Sequence, residues 1–380
     1  MRVAVIAETF LPQMNGVTHS LLRVLDHLAQ RGDDVLVLAP GADEQPTTVS
    51  GFPIVPLPSF ALPSYRDVRL ATVGVPRLTK ILRRFAPDVI HLASPFVLGW
   101  QGVRAAEALG IPTVSVYQTD VPAYAARYGV PAAEPMLWNH VRRLHARSTM
   151  TLAPSASAMT LLAEHGVERL SLWGRGVDSA RFSPERRDEE LRSSWAAPEE
   201  RVVGYVGRLA AEKQVDDLRV LQDLPGVRLV IVGDGPLRET LEAALPAARF
   251  LGFLTGDRLA RALASFDVFV HPGESETFGQ TIQEAMASGV PVVATGRGGP
   301  LDLVDSSRNG WLYRPGDLAD LRGRVADLTG DDAKRRAFAL AARRSVEFRS
   351  WPRLCARLVG HYEEALVAGA VDHRRLPVAR

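Results

Sequence analysis

The sequence predicts an α/β protein built from two doubly wound halves, each a mainly parallel sheet covered by helices. Three observations carry this reading. Apolar runs of strand length alternate with segments of helical periodicity, the signature of repeated βαβ units. The pattern occurs twice, once before and once after about residue 200. Between the two sets, residues 183–201 (SPERRDEELRSSWAAPEER) are almost wholly polar, as expected at a join between two cores.

In the first half the expected strands are Val3–Ala7, Asp34–Ala39, Val89–Leu92, Thr113–Tyr117 and Met150–Ala153. Such short, continuous apolar runs suit strands covered on both faces. Between the first two, Ser20 to Gln30 places Leu21, Leu22, Leu25 and Leu28 on one helical face, and Gly32 supplies a stop. The second half repeats the pattern with Val202–Val206, Arg228–Val232, Arg249–Gly252, Val268–His271 and Pro291–Ala294. The expected division is an N-terminal domain over 1–172, a linker over 173–200, a C-terminal domain over 201–345, and a C-terminal helix over 346–380 packing back toward the N-terminal domain. Sheets of this kind bind ligands beyond the carboxyl ends of their strands, so two facing domains would hold a ligand in the cleft between them.

Composition narrows the function. Of 380 residues, 46% are hydrophobic and 23% charged, which excludes a disordered or fibrous chain. Lys and Arg number 45 against 43 Asp and Glu, and a formal charge of +2 excludes nucleic-acid binding by phosphate neutralisation. The one cysteine, Cys355, can form no intramolecular disulfide and has no zinc-site spacing, which fits the reducing cytoplasm. The apolar run from Met1 to Ala7 ends at Glu8, too short for a signal peptide, and no uninterrupted apolar stretch reaches membrane-spanning length. A peripheral position on the inner face of the plasma membrane stays open. No two aspartates stand one residue apart, and His91, His140, His145, His165 and His271 form no pair at metal spacing. Neither a metal nor another cofactor is therefore expected.

The chemistry is expected in loops that follow strands. In Glu8 to His19 (ETFLPQMNGVTH), Asn15-Gly16 would take a left-handed conformation and approach a ligand closely before a helix whose amides are open; a plain turn reads equally well. After Val202–Val206, Gly207-Arg208 and Lys213 put two cations five positions apart, able to converge on one anion, although a solvated basic turn would look the same. The third loop, His271 to Gly289 (HPGESETFGQTIQEAMASG), holds Glu276 and Glu284 eight apart. With a helix starting near Phe278, one carboxylate lies at its mouth and the other farther along the same side. That arrangement suits a nucleotide sugar: the amides of Phe278 and Gly279 for phosphate, Glu276 for a sugar hydroxyl, Glu284 for the ribose. Gly298-Gly299 would shape the loop facing the diphosphate.

In these loops the sequence resembles the retaining glycosyltransferases of family four, which have the GT-B architecture of two Rossmann-like domains. The family's G-R-x5-K loop is matched by Gly207-Arg208 to Lys213 with one residue fewer, and its E-x7-E motif by Glu276 to Glu284. Asn15-Gly16-Val17, Pro154-Ser155, Gly174-Arg175-Gly176-Val177-Asp178 and Val232-Gly233-Asp234-Gly235-Pro236 extend the match over nearly the whole chain. Glu8-Thr9-Phe10-Leu11-Pro12, Tyr117-Gln118-Thr119-Asp120 and Leu172-Trp173-Gly174-Arg175-Gly176-Val177-Asp178 are similar to strings in bacterial GDP-mannose-dependent α-mannosyltransferases acting on lipid acceptors.

The resemblance implies a catalytic set of Arg208, Lys213, Glu276, Gln118 and Asp120. It implies donor contacts from Gly16, Gly207, Gly252, Phe253, Leu254, Phe278, Gly279 and Glu284. Many relatives carry histidine where this chain has Gln118, and a glutamine cannot titrate, so no histidine acid/base role transfers. The implied function is retaining transfer of a hexose, mannose from GDP-mannose, to a hydroxyl of a glycolipid or phosphoinositide-type lipid. The alternatives are a nucleotide-sugar epimerase or hydrolase, or a UDP-sugar-dependent transferase with a soluble acceptor. Residues 59–84 mix Phe60, Leu62 and Tyr65 with Arg66, Arg69, Arg77, Lys80, Arg83 and Arg84, a composition suited to an anionic membrane surface and equally to a solvated helix face.

Overall fold

The structure is a computed structural model describing residues 1–62, 65–127 and 129–375, with side chains described for all of these except 62, 65–68, 125–127 and 371–375. It divides into two compact units. The first comprises Met1–Pro122, Ala133–Arg175 and the C-terminal segment from Trp351; the second comprises Ala123–Ala132 and Gly176–Ser350.

The sheet of the first unit contains β1 (Arg2–Ala7), β2 (Asp34–Pro40), β3 (Thr48–Val49) and β4 (Phe52–Leu57). A separate antiparallel hairpin, β5 (Ser59–Leu62) with β6 (Tyr65–Ala71), follows. The sheet resumes with β7 (Val89–Ala93), β8 (Thr113–Val116), β9 (Met150–Ala153) and β10 (Leu170–Leu172). Its order is β10-β9-β8-β7-β1-β2-β4-β3, parallel throughout except for the short β3. The order reverses between β1 and β7, the topological switch point at which such sheets open a ligand crevice.

Alternation along β1 explains why the strand is apolar on both faces. Val3, Val5 and Ala7 pack with α1 (Gly16–Arg31), whereas Ala4 and Ile6 pack with α2 (Val75–Phe85) and α3 (Val97–Leu109). Helix α1 buries Leu21, Leu25 and Leu28, each contributing on the order of 2 kcal/mol. It stops where Gly32 takes φ 77° and donates its amide to Ala29 O at 3.0 Å. It starts four residues before the sequence expectation because Asn15 Oδ1 accepts from the amides of Val17 and Thr18 at 2.9 and 3.0 Å.

Within 59–84, Ser59–Leu62 and Tyr65–Ala71 pair as the β5–β6 hairpin and the chain from Val75 onward forms α2. Helix α2 buries Leu78 and Leu82 and leaves Arg77, Lys80, Arg83 and Arg84 exposed; Phe60 of the hairpin is exposed as well. The side chains of Leu62, Tyr65 and Arg66 lie outside the described residues. Helices α4 (Val121–Arg127), α5 (Glu134–His145) and α6 (Ala156–Glu164) follow β8 and β9.

The second unit holds β11 (Arg201–Val206), β12 (Val227–Val232), β13 (Arg249–Gly252), β14 (Val268–His271), β15 (Val292–Thr295) and β16 (Gly310–Tyr313). All are parallel, in the order β13-β12-β11-β14-β15-β16, with the reversal between β11 and β14. Its helices are α7 (Glu189–Ser193), α8 (Arg238–Ala244), α9 (Gly256–Ala264), α10 (Gln280–Ala287), α11 (Leu318–Gly330) and α12 (Asp332–Val346). From Gly176 onward the stretch expected as linker belongs to this unit. Three apolar anchors within it, Phe182, Trp195 and Ala196, are buried in the core, and the buried Arg192 reaches Asp267 at 3.1 Å.

Helix α13 (Trp351–Arg375) belongs to the first unit, where Cys355, Leu358, Val359 and Tyr362 are buried in one cluster with β1 and α1. Tyr362 Oη lies 2.7 Å from Nδ1 of the fully buried His91 on β7, and Trp173 Nε1 donates to Leu354 O at 2.9 Å. No described helix is long and apolar enough to cross a membrane.

Candidate active site

In the second unit the residues singled out from the sequence follow strands that meet at the switch point. Strand β11 delivers Gly207, Arg208 and Lys213; its neighbour β14 delivers His271 and Glu276. The two loops join where Lys213 Nζ donates to Glu276 Oε2 at 2.7 Å, with both side chains about four-fifths buried (20% and 18% exposed). His271 Nε2 stands 3.5 Å from the same oxygen, and the Gly279 amide donates to Glu276 Oε1 at 3.2 Å. Burial opposes the charge on Glu276, but the Lys213 ammonium and then His271 hold the carboxyl well below the usual carboxylate range. Burial likewise opposes the charge on Lys213, and the Glu276 carboxylate outweighs it, raising the ammonium above its ordinary value. The pair is therefore ionised across the physiological range.

The backbone of Glu276 is also fixed, its carbonyl accepting from the Gly299 amide at 2.7 Å. The glycine pair at 298–299 therefore braces this carboxylate. Helix α10 starts at Gln280, with Gly279 as its cap at φ 95°, two residues beyond the expected start. The Gly279 amide, expected to be open for phosphate, is engaged by Glu276 itself. Phe278 is buried in the core with Ile282 and Leu303, and Glu284 is buried with an oxygen accepting from Gln280 Nε2 at 3.2 Å.

The other edge of the same site is built from strand ends in register. The Gly207 amide donates to Val232 O at 3.0 Å, and the Gly233 amide to Gly252 O at 2.8 Å. Gly233 has φ 142°, and a Cβ there would stand 1.8 Å from Gly207 O, so only glycine lets β11 and β12 end this close together. Tyr205 Oη donates to Arg208 O at 3.1 Å, fixing the turn that carries the half-buried Arg208. Beyond Gly252, Phe253 is 63% exposed.

The first unit carries Gly16, Gln118 and Asp120. Gln118 and Asp120 follow β8 and are buried, and Thr119 between them accepts from Ser94 Oγ at 2.9 Å. Asn15 is extended, with φ −144°, so the expected left-handed turn is absent, and its side chain occupies two of the helix amides expected to be open. Gly16 lies against Arg175: a Cβ there would stand 2.8 Å from Arg175 Nη1, so a larger residue would have to move the guanidinium.

Three residues gained no role from sequence reasoning. His271 reads only as a polar end to an apolar strand. Arg175 is visible in its motif, but its approach to Gly16 is a long-range fact. Glu8, directly after β1, accepts from the amides of Phe96 and Gly99 at 2.6 and 2.7 Å, so it caps α3 at the switch point of the first sheet. Burial raises the Glu8 carboxyl pKa above its ordinary value despite those amide bonds. Among the described residues, no three His, Cys, Asp or Glu side chains converge as a metal site.

Comparison with known proteins supplies the family. Residues 14–181 match the profile described as Glycosyltransferase Family 4, and residues 187–345 that of Glycosyl transferases group 1. A GDP-mannose-dependent α-mannosyltransferase of Mycolicibacterium smegmatis is 50% identical over 371 residues, covering 96% of this chain and 98% of that protein. The chain belongs to glycosyltransferase family 4. A further relative of this transferase, from Mycobacterium tuberculosis and of the same description, is 48% identical over 96% of both chains. A more distant one from that organism, a GDP-mannose-dependent α-(1-6)-phosphatidylinositol dimannoside mannosyltransferase, is 28% identical over 94% of this chain and 95% of its own. Among solved structures, sucrose-phosphate synthase of Thermosynechococcus elongatus superposes with a TM-score of 0.83 at 19% identity, covering 97% and 99% of the two chains. The enzyme thus has the GT-B fold, two Rossmann-like α/β domains.

Proposed function

We propose that this enzyme transfers mannose from GDP-mannose, with retention of configuration, to a hydroxyl of a glycolipid or phosphoinositide-type lipid. The observation that carries the reading is the ionised Lys213–Glu276 pair, 2.7 Å apart at the switch point of the second sheet, in a chain half identical to a GDP-mannose-dependent α-mannosyltransferase. Two like-charged phosphates and a polyhydroxyl sugar need cations and a carboxylate side by side, and this pair supplies both. Arg208 and Lys213 neutralise the departing diphosphate while Glu276 orients a sugar hydroxyl. Glu284 serves the ribose, and the exposed Phe253 ring with the backbone of Gly252 and Leu254 serves the base. Gly207, Phe278 and Gly279 shape the phosphate loop. The first unit takes the acceptor, with Gly16, Gln118 and Asp120 as its contributing residues.

The acceptor oxygen bonds to the anomeric carbon on the face from which the diphosphate leaves. The carbon–oxygen bond to the diphosphate breaks with its electron pair, and the acceptor proton passes to a diphosphate oxygen. Gln118 cannot carry that proton and acts through hydrogen bonds alone. The donor is a substrate, and the scheme uses no metal or other cofactor. A lipid acceptor puts the enzyme on the cytoplasmic face of the membrane, with residues 59–84 in contact with anionic headgroups.

The test is a donor screen. Purified enzyme is given labelled GDP-mannose, UDP-glucose or UDP-glucuronate with a lipid extract, and label is followed into the organic phase. Label arriving from GDP-mannose alone is expected. Label arriving from a UDP-sugar alone, or free sugar or epimer released equally without extract, would overturn the reading.

A further inference from the structure

Helices α2 and α3 of the first unit pack through Leu78, Leu82, Leu98 and Val103. Above that apolar contact they leave a cavity of about 650 Å³, lined by Val75, Pro76, Thr79 and Arg83 from α2 and by Gln101 and Arg104 from α3. Residues 75/76, 79 and 83 recur at one-turn spacing, as do 101 and 104, so each helix presents one stripe to the groove. The stripe differs from the outer face that carries Arg77, Lys80 and Arg84.

Among the described residues no carboxylate lines the groove, and α2 (VPRLTKILRRF) contains none. On α3 the neighbouring acid, Glu107, is already held by Arg147 at 2.7 and 2.8 Å. Among the described residues neither Arg83 nor Arg104 has a hydrogen-bond or ion-pair partner. Both arginines are exposed along this open groove, and a group with several anionic oxygens can bridge them by accepting forked hydrogen bonds from both. Gln101 adds a neutral donor, while Val75 and Pro76 give the rim an apolar edge.

We propose that this groove is a phosphate site, one that takes the phosphodiester of an anionic phospholipid and is distinct from the acceptor and donor positions. It would turn a diffuse attraction of α2 to a charged surface into recognition of a headgroup chemistry. The source of the phosphate rests on the lipid-facing reading above, whereas the site itself does not.

The experiment compares the wild type with Arg83→Gln/Arg104→Gln and with Arg77→Gln/Lys80→Gln, which removes the same charge from the outer face. In solution, inorganic phosphate is titrated by calorimetry. Binding at millimolar concentration is expected for the wild type and the outer-face variant, weakened at least tenfold in the groove variant. In the second arm, binding is measured to phosphatidylcholine vesicles brought to equal surface potential with phosphatidylglycerol or with oleate. A fivefold or greater preference for the phosphodiester is expected, lost only in the groove variant. Phosphate binding without a vesicle preference would assign the same site to a soluble phosphate. Equal phosphate binding by all three proteins, or equal losses in both variants, would overturn the proposal. GDP affinity, read in parallel, keeps a failure of the transferase reading separate, since a groove variant that binds GDP normally is folded.

Discussion

Replacing Lys213 by methionine keeps the length of the side chain but strands the Glu276 carboxylate in a four-fifths-buried position. At 2.7 Å and an effective dielectric constant of about 20, the gross attraction is about 6 kcal/mol. Desolvating both ions offsets roughly half of this, so each of Lys213→Met and Glu276→Gln should destabilise the second unit by about 3 kcal/mol. The residual partners of Glu276, the neutral Gly279 amide at 3.2 Å and His271 at 3.5 Å, do not replace an ammonium at 2.7 Å. In Lys213→Met/Glu276→Gln no charge is stranded, and the loss should fall about 2 kcal/mol short of the sum of the singles. Hydrogen exchange of the β11 and β14 amides without nucleotide reads this local stability directly. Because the Glu276 carboxyl is held below the unfolded value of 4.5, the pair's contribution is complete above that pH and is lost only as pH falls through the lower folded value. The cycle should therefore give the same coupling at pH 6 and pH 8. Single-mutant losses that simply add would refute the argument that the two charges are held for each other.

Arg208→Ala should leave the fold intact and slow transfer by about 30- to 1000-fold, the equivalent of losing roughly 2 to 4 kcal/mol of charge stabilisation; steady-state kinetics with GDP-mannose checks it. Excess EDTA should leave the rate within a factor of about two, and abolition reversed by Mg²⁺ or Mn²⁺ would require a metal in the diphosphate step. Burial lowers the pKa of His91 and of His145 from 6.5 to about 4, with the His140 charge a lesser cause for His145. Both stay neutral when folded while the unfolded chain takes up protons, so acidification from pH 7.5 to 5 should cost about 2 kcal/mol per histidine in urea unfolding followed by tryptophan fluorescence. The raised Glu8 carboxyl acts in the opposite sense, stabilising as pH falls, so the measurement belongs in a Glu8→Gln background. Tyr362→Phe removes the partner of His91 Nδ1 and should cost about 1 to 3 kcal/mol.

The central strands were legible because a strand covered on both faces needs a nearly continuous apolar run, and β1, β2, β7, β11, β12 and β14 have one, interrupted only by Arg2, Asp34, Arg201, Arg228 and His271 near strand ends and by His91 within β7. What escaped is what breaks that rule. Strand β4 (Phe52–Leu57) is interrupted by the exposed Pro53 and Pro56, and β6 of the hairpin carries Arg66, Asp67 and Arg69. In 176–200 the side chains that dock, Phe182 and Trp195, are isolated among charges and give no periodicity. At the site, the spacing and identity of Lys213, Glu276 and Glu284 were visible. That Lys213 would face Glu276 across 63 residues depends on β11 lying beside β14, a pairing set by the sheet order. Asn15-Gly16 shows the limit of local reasoning: the pair suits a left-handed turn, but Asn15 is extended and caps α1 instead.

The position of α13 bears on how the protein is made. The first unit needs residues from both ends of the chain, since β1 and α1 share their core with Cys355, Leu358 and Tyr362. A ribosome delivers β1 first and α13 last, at about 5 to 20 residues per second, so this unit waits tens of seconds for its final helix. Meanwhile the apolar face of Val3, Val5 and Leu25 has no cover from that side. The second unit, drawn mostly from one continuous stretch, can complete its sheet while α13 is still inside the exit tunnel. The half that begins synthesis is therefore the last to finish folding, and nascent chains stalled before Trp351 should be the ones that engage chaperones.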